Sequence, residues 1–270
     1  MSIEKAYPEE RLIKITELVK KNRTVTVDQL AKMFGITGAT IRADLRTLES
    51  RGIVSRTHGG AILREFVDAH LKMDEDPVYQ SRLSHFNREK EAIGAACASY
   101  LNGVDCIYMD DGTTTLFVAR SLPHDCHMTV ITNGLNCCNE LAAHPSVSVI
   151  CTGGTLTRDN LAFNGRVAED IVCRFNASYA VLGASGITPL DGLTAPDEQR
   201  AELKKRMIEK SAKTIIVADH SKLTRVSLVP VCEISRIDVL ITDWNAPSGL
   251  LDDYRAQGIE VIAAQPVSEE

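Results

Sequence analysis

The stretch GITGATIRADLRTLESRG, residues 35–52, predicts a helix that starts after one glycine and ends at another. Thr37 can cap its start, because a threonine hydroxyl accepts a hydrogen bond from a free N–H of the first turn. Gly52 tolerates the left-handed conformation found just past helix ends. At about 100° per residue, three apolar side chains share one face and are predicted to point into a core. They are Ile41, Leu45 and Leu48.

The opposite face of this helix is small and basic. It carries Ala39, Ala43, Arg46 and Ser50, with Arg42 on one flank and Thr40 and Thr47 on the other. Such a surface suits close approach to DNA, where arginine reaches phosphates or guanine edges and small residues let the helix enter the major groove. By itself, the face could equally be the solvated surface of any three-helix domain.

The neighbouring sequence favours the DNA-binding interpretation. Two more helices are predicted before this one, over residues 8–21 and 27–34, with Thr26 as the cap of the second. After it comes GIVSRTHGGA, residues 52–61, which predicts a short basic hairpin turning at Gly59 and Gly60. Together these elements predict a winged helix-turn-helix, whose third helix enters a groove while the wing touches the flanking backbone.

Charge is divided unevenly along the chain. The 270 residues carry a formal net charge of -6. Residues 1–65 hold 12 Lys and Arg against 8 Asp and Glu, however, and the remainder holds 18 against 28. A basic head on an acidic body indicates that only the head meets a polyanion, and that the body serves another purpose.

Several other classes of protein are disfavoured. The eight cysteines include no C-x-x-C pair, and no charged-then-apolar leader opens the chain, so we expect reduced thiols in a cytoplasmic protein. The cluster HDCH, residues 124–127, places four potential ligands next to one another, and adjacent side chains diverge, so no metal site is expected. No apolar run approaches about 20 residues, so no membrane partner is expected.

The body has the pattern of an α/β domain. A polar connector is expected over residues 64–83, followed by a helix from Ser84 to Leu101 with inward-facing Ile93, Ala96, Cys97 and Tyr100. Seven short apolar runs then alternate with longer stretches, at 106–110, 128–132, 147–151, 179–183, 214–219, 239–243 and 260–264. Apolar strands alternating with helices predict a mainly parallel sheet covered on both faces. Binding sites in such sheets gather at the carboxyl ends of the strands.

Polar and glycine-rich stretches follow those predicted strands. The first is DDGTTT, residues 110–115, where glycine, hydroxyls and the free amides of a helix start can hold a phosphate. Its two aspartates would repel that phosphate unless they point elsewhere, and simple capping by threonine is the alternative. Similar stretches follow other strands at 132–134, 152–156, 183–187 and 218–222. Together they indicate a crevice for a polar ligand.

Both halves of the chain resemble one family. Residues 26–61, with TIRADL and SRTHGGA, resemble the DNA-binding half of the DeoR family of bacterial transcriptional repressors. That family usually carries a second basic residue where this chain has Ala43, so one expected DNA contact is missing. The strand-end loops between Asp110 and Asp243 resemble the family's carboxyl-terminal domain, which is similar to ribose-5-phosphate isomerase and senses phosphorylated sugars or sugar alcohols.

The resemblance implies two sets of functional residues. The predicted DNA contacts are Thr37, Thr40, Arg42, Arg46, Arg56 and His58. The predicted effector contacts are Asp110, Gly112, Thr113, Thr114, Asn133, Gly153, Gly154, Gly183, Lys204 and Lys222. For Lys204 and Lys222, an ordinary surface lysine is the alternative.

The expected architecture is a winged helix-turn-helix domain (1–63), a linker (64–83) and an α/β effector domain of the ribose-5-phosphate-isomerase-like type (84–270). The expected function is repression of a sugar or sugar-alcohol operon by a homodimer or homotetramer. A phosphorylated sugar would release it from double-stranded operator DNA. No catalytic residue, cofactor or metal is expected.

Two other functions were weighed. The first is an isomerase-like enzyme using Asp110, Asp191, Glu198 or Glu202 as base, for which a DNA-reading head has no evident purpose. The second is an adaptor that binds only protein, which leaves the glycine-rich strand ends unexplained.

Overall fold

The computed structural model describes residues 8–22, 24–57, 59–63 and 77–266. The chain divides into two compact units, Met1–Asp74 and Glu75–Glu270, here called the head and the body. His58 and residues 64–76 of the predicted linker lie outside the described residues. Within the described part, no helix has both the length and the apolar composition needed to cross a bilayer.

The head has the predicted order of three helices and a hairpin. In chain order its elements are α1 (Pro8–Asn22), β1 (Thr24–Thr26), α2 (Val27–Phe34), α3 (Gly38–Ser50), β2 (Val54–Thr57) and β3 (Gly60–Leu63). The strands pair antiparallel in the order β1-β3-β2. The helices and the wing are therefore confirmed, and β1 adds a third strand that the sequence did not reveal.

Local chemistry sets the limits of the head's helices. Thr26 and Gln29 form a reciprocal capping box at the start of α2, and Gly35 ends that helix with φ 65°. Thr37 caps α3 by accepting a hydrogen bond from the Thr40 amide. The three predicted apolar side chains of α3 are at most 1% exposed, so this helix presents a fixed face to solvent.

The body is built around one seven-stranded sheet. In chain order, the strands of the whole body are β4 (Cys106–Met109), β5 (Met128–Thr132), β6 (Val147–Cys151), β7 (Thr155–Thr157), β8 (Ala162–Asn164), β9 (Ala177–Gly183), β10 (Gly186–Thr188), β11 (Gly192–Ala195), β12 (Ser211–Val217), β13 (Val229–Cys232), β14 (Val239–Asp243) and β15 (Glu260–Ala264). The main sheet has the order β15-β14-β12-β9-β4-β5-β6, and every neighbouring pair is parallel. β7 pairs with β8, and β10, β11 and β13 form a small antiparallel sheet.

Helices accompany the body's strands along the chain. They are α4 (Pro77–Ser84), α5 (Asn87–Tyr100), α6 (Thr113–Ser121), α7 (Leu135–Leu141), α8 (Arg166–Val172), α9 (Glu198–Glu209) and α10 (Ser248–Ala256). Alternate residues of one strand enter two separate cores: Tyr108 belongs to one cluster, and Ile107 and Met109 to the other. Both sheet faces are therefore buried, which explains why the strands read as continuous apolar runs.

The structure differs from the sequence prediction around residue 84. Residues 77–83, expected as linker, belong to α4, and Tyr79 on this helix is 1% exposed. The helix expected from Ser84 is interrupted, because Phe86 adopts φ 58°, and α5 begins only at Asn87. Neither Gly nor Pro marks this break, so no local sequence signal predicts it.

Candidate functional site

The exposed face of α3 is basic because its aspartate points inward. Arg42, Ala43 and Arg46 are exposed. Asp44 is buried and accepts two hydrogen bonds from Arg11 of α1, 2.6 Å from Nε and 3.0 Å from Nη2. The hydrogen bond to Asp44 raises the pKa of Arg11, so the guanidinium stays charged. A polyanion at this face therefore meets arginines without a competing carboxylate from the middle of α3.

The other predicted DNA-contacting side chains differ in the contacts that they already make within the protein. The hydroxyls of Thr37 and Thr40 lie 3.0 Å apart at the start of α3. Arg56 of the wing is paired with Glu49, with 3.0 Å between Nε and Oε2, and its backbone N–H also donates to Glu49. A DNA phosphate would have to compete with this carboxylate for the Arg56 guanidinium. Contact of these residues with DNA stays a prediction.

A cavity of about 480 Å³ opens at the carboxyl ends of β4, β9 and β12. Parallel strands bring these ends to one edge of the sheet, as the sequence predicted. Seven of the ten predicted effector residues line it: Asp110, Gly112, Thr113, Thr114, Gly183, Lys204 and Lys222. These residues span more than 100 positions of the sequence, and the fold brings them together on one concave wall.

One side of the cavity is the amino-terminal end of α6. Its cap residue, Gly112, offers no side-chain hydrogen bond, so the first amides of the helix have no intrahelical partner. Thr113 and Thr114 are at most 8% exposed, and both line the cavity beside these amides. A side chain at Gly112 would place Cβ 3.1 Å from Asp110 and Thr115, so glycine permits this close approach. These features suit an anion.

Asp110 and Lys204 form the floor of the cavity. The Asp110 carboxylate accepts hydrogen bonds from the Gly112 amide (3.0 Å), the Thr115 hydroxyl (2.8 Å) and the Gly183 amide (2.8 Å). Lys204 Nζ forms an ion pair with Asp110 and donates to the Gly183 carbonyl at 2.9 Å. Asp110 is 1% exposed. The pair therefore joins the ends of β4 and β9, and the two charges largely neutralise each other.

Asp111, the second aspartate of the loop, is held in a similar way. Its two carboxylate oxygens accept from Asn133 Nδ2 at 3.1 Å and from Asn160 Nδ2 at 2.6 Å. The repulsion expected between the acidic pair and a phosphate is thus reduced by internal partners for both aspartates.

Three predicted effector residues are not brought to the cavity wall. Asn133 is 1% exposed, and its amide is used by Asp111 and by the Phe163 carbonyl. Gly153 and Gly154 form the turn between β6 and β7, with φ 64° and 115°. A Cβ on Gly154 would lie 2.7 Å from the Asn164 carbonyl. Backbone conformation and packing, rather than ligand contact, account for these glycines.

The part of the wall that comes from α4 and α5 was not predicted from the sequence. Ser81, Arg82, His85, Phe86 and Lys90 all line the cavity. One signal was present, since Lys90 lies three residues before Ile93 on the buried face of α5, where a lysine needs a reason. Asp159, Arg200 and Arg225 also line the cavity and were not predicted, whereas the lining residues Ser185 and Asp219 lie in the predicted strand-end stretches 183–187 and 218–222.

The cavity carries an excess of positive charge. Its lining includes six Lys and Arg side chains and four Asp side chains. Lys204 is paired with Asp110, and Arg200 with Asp159. Burial lowers the pKa of Lys90 to about 8 and also lowers that of Lys222, which shows that both ammonium groups are poorly compensated. An anionic ligand would supply the missing countercharge.

The arrangement does not favour acid–base chemistry. Of the four candidate bases weighed from the sequence, only Asp110 lines the cavity, and its oxygens are occupied by donors. Among the described residues, no group of three or more His, Cys, Asp or Glu side chains is placed to hold a metal ion.

These features define a winged helix-turn-helix DNA-binding protein with an α/β sensor body. Residues 11–66 match the family model described as the DeoR-like helix-turn-helix domain, and residues 85–244 match the DeoR C terminal sensor domain. The chain belongs to the DeoR family. It is a DNA-binding transcription regulator and not an enzyme.

Similar proteins span nearly its full length. The HTH-type transcriptional regulator GlpR of Haloferax volcanii is 34% identical over 94% of this chain and 97% of its own. The HTH-type transcriptional repressor GlcR of Bacillus subtilis is 31% identical over 96% and 97%. Ribose 5 phosphate isomerase A of Neisseria gonorrhoeae, 14% identical, covers 50% of this chain and 53% of its own, with a TM-score of 0.36. A likeness that low carries no argument about function.

Proposed function

We propose that this regulator represses a sugar or sugar-alcohol utilisation operon, and that a phosphorylated sugar in the cavity releases it from operator DNA. The observation that carries the proposal is the cationic cavity at the strand ends of a body joined to a DNA-binding head. Its volume of about 480 Å³ falls within the range of small-ligand sites. The repressor GlcR, similar over most of its length, supports repression as the mode of action.

The charge distribution supports a phosphate group on the ligand. Lys90 and Lys222 lack a carboxylate at hydrogen-bonding distance in the described residues, and both line the cavity with the open start of α6. A phosphate monoester is a dianion with several acceptor oxygens, so it can bind two ammonium groups and the amides of a helix start together. Thr113 and Thr114 would donate their hydroxyls to the same ligand.

In this proposal the head reads DNA through α3 and the wing, with Arg42 and Arg46 as the central contacts. The protein acts in the cytoplasm as a homodimer or homotetramer, so that two heads read repeated half-sites. Occupation of the cavity favours a state whose heads no longer match the operator. The ligand must bind that state more tightly, and by linkage operator DNA must weaken ligand binding by the same factor.

Two substitutions separate the two activities. Arg46→Ala should weaken operator binding in gel-shift titrations without altering ligand affinity, because it removes a charge from the exposed α3 face. Thr113→Ala should weaken binding of phosphorylated sugars, measured by thermal shift, and leave operator binding unchanged. The matched controls are Lys14→Ala, at an exposed position of α1, and Ser99→Ala, at an exposed position of α5.

The proposal fails if the intact protein gives no sequence-specific shift with genomic fragments at moderate salt. It also fails if no phosphorylated sugar or polyol raises the melting temperature. If Arg46→Ala and Thr113→Ala leave both affinities intact, the regulator stands but its sites lie elsewhere.

A further inference from the structure

The carboxyl-terminal end of α4 is fastened by a lysine that also lines the cavity. Lys90 Nζ donates to the His85 carbonyl at 2.6 Å and to the Arg82 carbonyl. These are among the carbonyls that a helix leaves without an intrahelical partner at its end. Lys90 itself is 3% exposed and contributes to the cavity wall. A single ammonium group therefore contacts both the end of α4 and the ligand-binding space.

This ammonium is poorly compensated when the cavity holds no anion. Desolvation is the main reason that the pKa of Lys90 falls to about 8, and the positive charges of Lys222 and Arg82 lower it further. Asp219 and Glu89 act in the opposite direction but do not restore the ordinary value. An anion beside Lys90 would favour its charged form, and a charged donor makes the stronger hydrogen bonds to the carbonyls of α4.

The junction after α4 depends on its surroundings. Phe86 takes a left-handed conformation at φ 58°, which costs free energy for a residue with a side chain. Its ring packs edge-on against His220, with 4.8 Å between centroids, two residues before Lys222 of the cavity wall. Arg82 Nη2 donates to the Asp159 carbonyl at 3.0 Å. These particular contacts to α4 and its junction thus come from groups that line or adjoin the cavity.

We infer that Lys90 is a positioning residue that couples anion binding in the cavity to the docking of α4 on the body. This inference rests on the proposed function and adds a route to it. Along the chain, α4 is the first described element of the body after the head. A ligand that tightens α4 would therefore act on the described part of the body that is next to the head in sequence.

Hydrogen exchange on the full chain tests this inference, with inorganic phosphate as the probe and chloride at equal ionic strength as the reference. Phosphate should slow exchange of the amides of residues 81–86 by about fivefold, the effect of strengthening one charge-assisted hydrogen bond. Lys222→Met should abolish the slowing by phosphate, because it removes one of the two ammonium groups proposed to bind the anion. Lys90→Met should speed exchange in chloride and remove the response.

Lys205→Met is the matched control, because Lys205 pairs with Glu202 and does not line the cavity. If phosphate raises the melting temperature while exchange of residues 81–86 stays the same, the inference is wrong and the proposed function survives. If phosphate neither raises the melting temperature nor protects any amide, the inference is overturned, and the screen of phosphorylated sugars separately decides the proposed function. The comparison of phosphate with chloride in the unmodified chain decides the matter even if Lys90→Met folds poorly.

Discussion

Replacing Asp110 with asparagine tests whether the cavity floor is held together by charge. The two carboxylate oxygens of Asp110 serve four donors, including the Lys204 ammonium and the Gly183 amide. Asparagine keeps one oxygen and turns the other into an NH₂ group, which would face two donors. In this variant Lys204 loses its carboxylate partner, while its charge stays buried beside the Gly183 carbonyl.

The size of the effect follows from these contacts. Removing one partner of a buried ion pair costs about 3–5 kcal/mol, because the other charge is left uncompensated. We expect Asp110→Asn to lower the free energy of unfolding of the body by that amount. Lys204→Met should cost less, about 1–3 kcal/mol, since three neutral donors still hold the Asp110 carboxylate. The double variant should recover about 1–3 kcal/mol relative to the sum of the single changes.

Urea unfolding followed by tryptophan fluorescence measures these values. Trp244, the chain's single tryptophan, packs against the core of the body, so its signal reports that unit. Asp125→Asn is the control, because it removes one carboxylate from an exposed position and should change stability by less than about 0.5 kcal/mol. A loss below about 1 kcal/mol for Asp110→Asn, or single changes that simply add, would refute the ion-pair argument.

Three further predictions concern other charged groups. Since burial lowers the pKa of Lys90 to about 8, its charged form destabilises the fold. The body should therefore gain stability as pH rises from about 8 towards the ordinary lysine value of 10.5, while phosphate affinity falls. Urea unfolding and thermal shift across this range should show both trends, and Lys90→Met should flatten them. Glu49→Gln should strengthen operator binding severalfold at low salt, because it releases Arg56 and removes a negative charge near the DNA-reading face. Gel shifts check this, and unchanged or weaker binding would contradict it. Asp44→Ala should destabilise the head by about 2–4 kcal/mol by taking both hydrogen bonds from Arg11. Faster hydrogen exchange in α3 with unchanged exchange in β9 would be the expected signature, and equal exchange in α3 would count against it.

Much of the head could be predicted because its signals are local. A helix start depends on a capping hydroxyl a few residues away, and Thr26 and Thr37 supply it. The face of α3 follows from helical periodicity, which separates Ile41 and Leu48 from Arg46. The inward turn of Asp44 has a different origin, since it depends on Arg11, 33 residues earlier in the chain.

The body shows where local reasoning ends. Apolar runs and parallel pairing were enough to predict the seven strands and the edge at which a site would lie. Which polar side chains reach the cavity depends on partners distant in sequence. Asn133 is turned away by Asp111 and the Phe163 carbonyl, and Lys204 is drawn into the floor by Asp110.

The sequence by itself determined the class of each half of the chain, because hydrophobic periodicity and capping act over a few residues. It also determined the edge of the sheet where a ligand would bind, because all strands of a parallel sheet end on the same side. Only the tertiary structure decided which charged side chains are paired within the protein and which remain to bind a ligand. That balance depends on distances between side chains far apart in sequence, such as Asp110 and Lys204, which are separated by 94 residues, and no pattern along the chain encodes it.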